Sequence, residues 1–259
     1  NIMSNQIYLK VIHKINNELG LLYKKRMNRS FKTKKDFQID PVTKLDIVSE
    51  KIVRNIINSY FPDHNIVGEE LNKKTTNSIY TWVIDPIDGT KSLIMNLPTW
   101  SNLVGLYKNN KCILSWANFP ILKKYYLAYD NKVIVSNNNK VKKITANKKA
   151  STKNYKLTIN TLHSLRYKKI YNHIMNFKGF FKVTGIDAYN FCSIAEGRFD
   201  VLIESGLKIV DILPVLLIVK NSGAIITDWN GGQNYLDGKV LVASNKKIHN
   251  YYLKKLPKN

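Results

Sequence analysis

The stretch "YTWVIDPIDGTKS", residues 80–92, places two aspartates three positions apart at the end of an apolar run, with a glycine and a threonine directly behind them. Pro, Gly and Asp favour turns, so "DPIDGT" alone reads as a strand end entering a turn. The same six residues also project two carboxylates, Asp85 and Asp88, with the Ile87 carbonyl between them. Such oxygens suit a hard divalent cation: Mg2+ takes about six oxygens and commonly uses one or two carboxylates plus substrate phosphate. Gly89 and Thr90 add backbone N–H donors and a hydroxyl where a phosphate fits, particularly if a helix starts there.

The surroundings make the pair conspicuous. The chain of 259 residues carries 41 Lys+Arg against 18 Asp+Glu, a formal net charge of +23, and between Leu71 and Gly185 its only acids are Asp85, Asp88 and Asp130. The lysines are spread over the whole length among many Asn and Ile, and no recognition helix, RNP-type aromatic motif or zinc knuckle accompanies them. Nucleic acid is therefore set aside as the main partner, while the basic field still favours a small anionic substrate. Cys112 and Cys192 fit no disulfide or zinc spacing, which points to a reducing compartment, the cytoplasm. The longest apolar run, "ILPVLLIV" at 212–219, falls short of the roughly 18 residues of a membrane span, and no signal-peptide pattern opens the chain.

Along the chain, Ile7, Val11, Ile15, Leu19 and Leu22 form one stripe of a helix expected to end near Asn28, followed by a basic loop, "MNRSFKTKKDFQ". "DPVTKLDIVSEKIVRNIINSYFPDH" reads as a short extended lead and a helix with Val48, Ile52 and Ile56 on one face, stopping at Phe61-Pro62. "NIVGEE" is a short strand and turn, and "TWVID", "SNLVGLYK", "KCILSWANF" and "KKYYLAYD" are strands. The polar stretch "SNNNKVKKITANKKASTKN" is a hairpin tip and linker, which sets an expected boundary near Ser151 between a domain at 1–150 and a domain at 151–259. Beyond it, strands at "KLTIN", "FKVTG", "DVLIES", "AIITDW" and "KVLVAS" alternate with helices at 163–177, 187–197 and 211–221 and a final helix, the pattern of a layered α/β half.

Four acidic spots fall at element ends: Asp46, the Glu69-Glu70 pair, Asp85 with Asp88, and Asp211. Each has a plain alternative, such as a solvated loop for the glutamates or a helix-dipole interaction for Asp211. The five histidines show no ligand spacing and are read as surface or satisfied residues. No GxSxG, Walker or GxGxxG pattern is present, so serine-nucleophile, P-loop and dinucleotide chemistry lack support.

Taken in order, "DPVTKLD", "FPDHNIVGEE", "WVIDPIDGTKS", "GRFDVLIESGLKIVD" and "GAIITDWNG" resemble the inositol monophosphatase superfamily of Mg2+-dependent phosphatases, over about Lys35 to Ser244. Within it, "DGTKSLIMNLPTWSNLVGL" and "GIDAYNFCSIAEGRFDVLIESGLKIVD" are most similar to the histidinol-phosphate phosphatase branch. The resemblance implies an α+β fold, a layered αβαβα sandwich, with two or three Mg2+ ions and a small phosphomonoester substrate. It further implies a homodimer. By the same resemblance Glu69, Asp85, the Ile87 carbonyl and Asp88 bind the first metal, and Asp211 with Asp85 and Asp88 the second. Thr90 and Glu69 orient the attacking water, and Asp46 polarises Thr90. Gly89 and Thr90 N–H groups face the phosphate, Asp187 and Glu204 touch the substrate alcohol, and Glu70 lies behind the ligands. Metal-activated water needs no phosphoenzyme, which agrees with the lack of an activated Ser, Cys or His near the motifs. Ile186 stands where the family usually has Gly, and "LKIVD" replaces LKPYD, so the wall beside the substrate alcohol is expected to differ. Inositol phosphate or another sugar phosphate, a 3'-nucleotide phosphate, and a non-enzymatic nucleic-acid-associated role are the alternatives.

Overall fold

A computed structural model describes residues 2–26, 43–160 and 163–257. The basic segment at 27–38, the lead at 40–42 and the expected helix end near Asn28 lie outside these residues. Helix α1 (Ile2–Arg26) buries Val11, Ile15 and Leu19 against α2 (Lys44–Tyr60) and the outer face of a seven-stranded sheet. That sheet runs in chain order, β1 (Asn65–Gly68), β2 (Tyr80–Asp88), β3 (Ser101–Lys108), β4 (Lys111–Phe119), β5 (Lys124–Tyr129), β6 (Lys132–Asn137) and β7 (Lys140–Lys143). Among the described residues of this sheet only the β1–β2 pair is parallel; short helix α3 (Thr90–Ile94) follows β2. Successive side chains of a strand point to opposite faces. Accordingly Trp82 and Ile84 face α1 and α2, whereas Val83 faces the interior layer.

The second half builds β8 (Lys156–Ile159), α4 (Lys168–Met175), β9 (Phe180–Val183), α5 (Asp187–Ala195), β10 (Val201–Glu204), α6 (Ile209–Ile212), α7 (Leu216–Asn221), β11 (Ile225–Thr227), β12 (Val240–Ala243) and α8 (Lys246–Leu253). Its five strands lie in the order β11-β12-β10-β8-β9. Helices α5 and α7 fill the space between the two sheets, where Phe191, Ile194 and Ile218 join Leu103 and Phe119 of one sheet to Leu202 and Val242 of the other. Helices α4 and α8 cover the far face through Ile170, Ile174, Ile248 and Tyr252. The layers therefore alternate αβαβα, as expected. No helix among the described residues is long and apolar enough to cross a membrane.

Three expectations are corrected. The buried stripe of α2 is Leu45, Ser49, Val53, Ile56 and Ile57, with Val48 and Ile52 only half-buried at its flank, because Asp46, Ser49 and Glu50 are polar yet face inward. The helix expected at 211–221 is broken into α6, a 3-10 turn at Leu213–Val215 and α7, since Pro214 lacks the N–H that a continuous helix requires. The helix expected at 163–177 is a 3-10 turn, Ser164–Arg166, followed by the shorter α4.

One ion cluster, with Lys124 buried and Arg198 exposed, ties the interior helix layer to the first sheet. Glu196, just past α5, accepts from Lys124 Nζ at 2.6 Å, Tyr126 Oη at 2.7 Å and Arg198 Nε at 2.9 Å. Burial alone would raise its pKa, but the bonds from Lys124, Tyr126 and Arg198 outweigh it and hold the carboxyl at about 2. A depressed folded-state value stabilises the protein above the unfolded pKa, near 4.5, and that contribution drains away as pH falls through 2. Glu196→Gln should cost about 2–3 kcal/mol at pH 7, with the difference closing toward pH 2; urea unfolding at both pH values checks this.

Candidate metal and phosphate site

The two aspartates of the opening stretch lie in a strand, not a free turn. In a regular strand, residues three apart point to opposite faces. Here the β2–β3 register slips between Asp85, opposite Leu103, and Asp88, opposite Ser101, and this bulge brings both side chains to one cavity. Pro86 is tolerated because β1 pairing ends at Gly68 opposite Ile84, leaving that edge of β2 without a partner strand. Asn102 Nδ2 donates to the Pro86 carbonyl at 2.6 Å and braces the bulge.

The cavity, of about 280 Å³, is lined by Glu69, Asp85, Asp88, Asp187 and Asp211, with Lys91, Lys208 and His163 among the remaining lining groups. Asp88 Oδ2 accepts from Ser101 Oγ at 2.9 Å and from the Ala188 N–H at 3.1 Å. Asp211 Oδ2 accepts from the Lys208 N–H at 2.6 Å, and Lys208 Nζ donates to Glu69 Oε1 at 2.8 Å. Gly89 adopts φ +84°, a left-handed conformation that glycine takes without strain, and its carbonyl accepts the first bonds of α3. The Ile186 side chain packs beside Gly89.

Asp46 does not line the cavity but bonds Thr90, which does. Thr43 caps α2, its hydroxyl accepting from the Leu45 N–H at 3.1 Å and donating to Asp46 Oδ2, which also accepts from the Thr43 N–H at 3.0 Å. The cap fixes the carboxylate so that Oδ1 accepts from Thr90 Oγ1 at 2.9 Å. The Thr90 hydroxyl has one proton and gives it to Asp46 at the shorter distance, the Ile87 carbonyl standing at 3.2 Å.

Crowded, buried acids resist ionisation together. Burial, then Glu69, Asp88 and Asp211, pushes Asp85 well above the usual carboxylate range. Burial raises Asp88 to about 6, and burial with the Asp88 charge raises Asp211 to about 7. Glu70 rises to about 7, by burial and then by Glu69. Asp187 is raised well above its ordinary value by burial, Asp88, Glu204 and Asp211.

A divalent cation fits this set by one direct observation: Asp85 Oδ1 is buried and has no hydrogen-bond partner. Its neighbours are hard carboxylate oxygens, the class that Mg2+ prefers. Among the described residues no three His, Cys, Asp or Glu side chains already converge on one ion position. Asp88, Asp211 and Glu69 each direct an oxygen to a protein donor instead.

Not every expected residue lines the cavity. Glu204 is buried and does not line it; Oε2 accepts from the Asn160 N–H at 2.5 Å and Oε1 from the Ser205 N–H at 3.4 Å. The carboxylate thus ties together the backbone just past β8 and β10. Asp187 does line the cavity and accepts from Asn160 Nδ2. Lys91, Asn160 and Lys208 have no role in the sequence reading, and His163, read there as a surface or satisfied residue, lines the cavity instead; only Lys91, directly after DGT, and Lys208, inside LKIVD, carry a local signal. Glu70 points its N–H at buried Glu50.

Comparison with known proteins decides the kinship. The inositol monophosphatase family model matches residues 4–259. The chain belongs to the inositol monophosphatase family, a family of phosphatases. It is 32% identical over 214 residues to the bifunctional phosphatase IMPL2 of Arabidopsis thaliana, covering 82% of this chain and 61% of that one. It is 30% identical over 231 residues to a fructose-1,6-bisphosphatase/inositol-1-monophosphatase of Aquifex aeolicus, covering 88% and 85%. It is also 29% identical over 214 residues to a histidinol-phosphatase of Chlorobaculum parvum, covering 80% of each; relatives named Nus factor SuhB match at 27%. Among solved folds, an IMPase/NADP phosphatase complexed with Mg2+ and phosphate superposes with a TM-score of 0.83 at 20% identity, covering 98% of this chain and 96% of that one.

Proposed function

We propose that this family member is a Mg2+-dependent phosphomonoesterase that hydrolyses L-histidinol phosphate to L-histidinol and phosphate, a step of histidine biosynthesis. The observation that carries the metal-dependent part is Asp85 Oδ1, buried without a partner in a carboxyl whose ionisation burial and the neighbouring acids oppose. Glu69, Asp85, Asp88 and the Ile87 carbonyl would hold one ion, and Asp85, Asp88 and Asp211 a second, with a third near Asp46. When bound, Mg2+ supplies charge neutralisation at the phosphate and makes water more acidic. Thr90, its proton committed to Asp46, presents lone pairs that orient a water together with Glu69. Gly89 and Thr90 N–H groups face the phosphate oxygens.

Asp187 supports the choice of substrate. A cationic ammonium or imidazolium beside it would favour the ionised carboxylate and form a charge-assisted bond. Glu204 contributes by placing Asn160, which bonds Asp187. The kinship to a named histidinol-phosphatase agrees with this reading. A homodimer in the cytoplasm, with Cys112 and Cys192 reduced, completes the proposal.

A sugar phosphate is the second reading, favoured by Lys91 and His163 on the cavity lining, where a second anionic group would be received, and by the match to a fructose-1,6-bisphosphatase/inositol-1-monophosphatase. Phosphate release with Mg2+ should be measured on histidinol phosphate, inositol 1-phosphate, fructose 1,6-bisphosphate and 3'-phosphoadenosine 5'-phosphate. Histidinol phosphate is expected to lead in kcat/KM by about tenfold, equivalent to roughly 1.4 kcal/mol of differential transition-state binding. If it ranks among the poorest, the substrate assignment is wrong. Salt-sensitive RNA binding with no turnover on any of the four would favour the nucleic-acid-associated role instead.

A further inference from the structure

A buried charge on α2 lies directly under the loop that carries Glu69. Glu50 follows Asp46 by one helical turn, and its side chain is 0% exposed. Oε1 accepts from Arg54 Nε at 2.7 Å, and Oε2 accepts from the Glu70 N–H at 2.8 Å. Arg54 Nη2 in turn donates to the Leu71 carbonyl at 3.1 Å. Two side chains of one helix therefore clasp the backbone at residues 70 and 71, immediately after Glu69. On the other side of Glu69, a Cβ at Gly68 would lie 2.0 Å from Glu50 Oε1, so the carboxylate is pressed against that backbone as well.

We propose that Glu50 is a positioning residue for Glu69, fixing the loop at 68–71 so that the Glu69 carboxylate faces Asp85. A buried ion pair that served packing alone could be satisfied within α2. This one spends its second oxygen and a guanidinium nitrogen on the loop backbone instead. Taking a carboxylate out of water is costly unless it is paired and its remaining lone pairs are satisfied. Arg54 meets part of that requirement from within α2, and the Glu70 N–H meets the rest only when the loop is in this place. The inference rests on the metal-dependent reading of the cavity, since Glu69 matters as a ligand only if a cation is held there.

Titration calorimetry of Mg2+ into the chelator-treated full chain tests it, with phosphate release followed in parallel. Glu50→Ala removes the acceptor for the Glu70 N–H and should weaken Mg2+ binding about 10–100-fold, the usual effect of losing a group that orients a ligand. Glu50→Gln keeps an oxygen for that N–H while losing the charge opposite Arg54. It should melt at lower temperature yet bind Mg2+ close to the parent. Glu50→Ala combined with Glu69→Ala should bind no more weakly than Glu69→Ala alone, because the anchor acts through Glu69. If circular dichroism shows Glu50→Ala unfolded, Glu50→Met with Arg54→Met takes its place, since apolar residues of similar volume can replace a buried pair without loss of the fold. Unchanged Mg2+ affinity in the folded variant, additive losses in the double variant, or equal weakening by Gln and Ala would each overturn the proposal. Asp88→Asn in the same titration separates the two layers of inference. If it binds Mg2+ as the parent does, the metal reading itself fails; if it abolishes binding while Glu50→Ala changes nothing, only the role of Glu50 falls.

Discussion

Asp85→Asn is expected to make the metal-depleted protein more stable, by about 1–2 kcal/mol at pH 7, although it alters the centre of the site. Asp85 is buried, one oxygen is orphaned, and its pKa is raised by burial and by Glu69, Asp88 and Asp211. The unfolded chain ionises this carboxyl from its ordinary value of 3.8 upward, whereas the folded chain resists. Folding therefore costs nothing extra at low pH, and the penalty grows as pH rises from about 4 toward neutrality. Asn removes it, so the gain should shrink as pH is lowered to 4. Added Mg2+ should reverse the order: at 100 times Kd the parent gains roughly 2.7 kcal/mol by mass action, which the variant forgoes. Thermal melts with chelator and with Mg2+, at pH 7 and pH 4, give all four comparisons. A variant less stable than the parent in chelator would contradict the electrostatic account of the cavity.

Thr90→Ala and Asp46→Asn should each lower kcat by about 10²–10³, within the range of positioned acid-base groups, with little change in KM. The 2.9 Å bond between them makes them one unit, so the double variant should be no worse than the poorer single one. Thr90→Ser keeps the hydroxyl and should recover most of the rate. Steady-state kinetics on the four proteins decides it; losses that multiply would mean that Asp46 and Thr90 act separately.

The acids of the cavity were legible because the chain is so poor in acid between Leu71 and Gly185 and because their motifs recur in a fixed order. What local pattern hid was how they meet. "DPIDGT" carries turn residues, yet Asp85 and Asp88 end a continuous strand, since the bulge depends on where β1 stops and on Asn102 of β3. The face of α2 is misphased by pattern for a related reason: hydrophobic periodicity assumes polar residues face water, and Asp46, Ser49 and Glu50 are turned inward, where they bond Thr90, Tyr23 and the Glu70 N–H. Strand β6 went unread because its short Val-Ile-Val core adjoins the Asn-rich turn that ends it. The resemblance expects Glu204 at the substrate; in the structure its oxygens accept from the Asn160 and Ser205 N–H groups, a tertiary arrangement with no sequence signature.

The decisive measurement is phosphate release from histidinol phosphate, followed as Mg2+ is titrated into the chelator-treated parent and Asp85→Asn. The parent should be silent in chelator and rise saturably with Mg2+, and the variant should be slower by about 10³ or more at every concentration, the loss of several kcal/mol of charge stabilisation. An Asp85→Asn protein that turns over at the parent's rate with the parent's Mg2+ dependence would contradict the metal-dependent reading of the cavity.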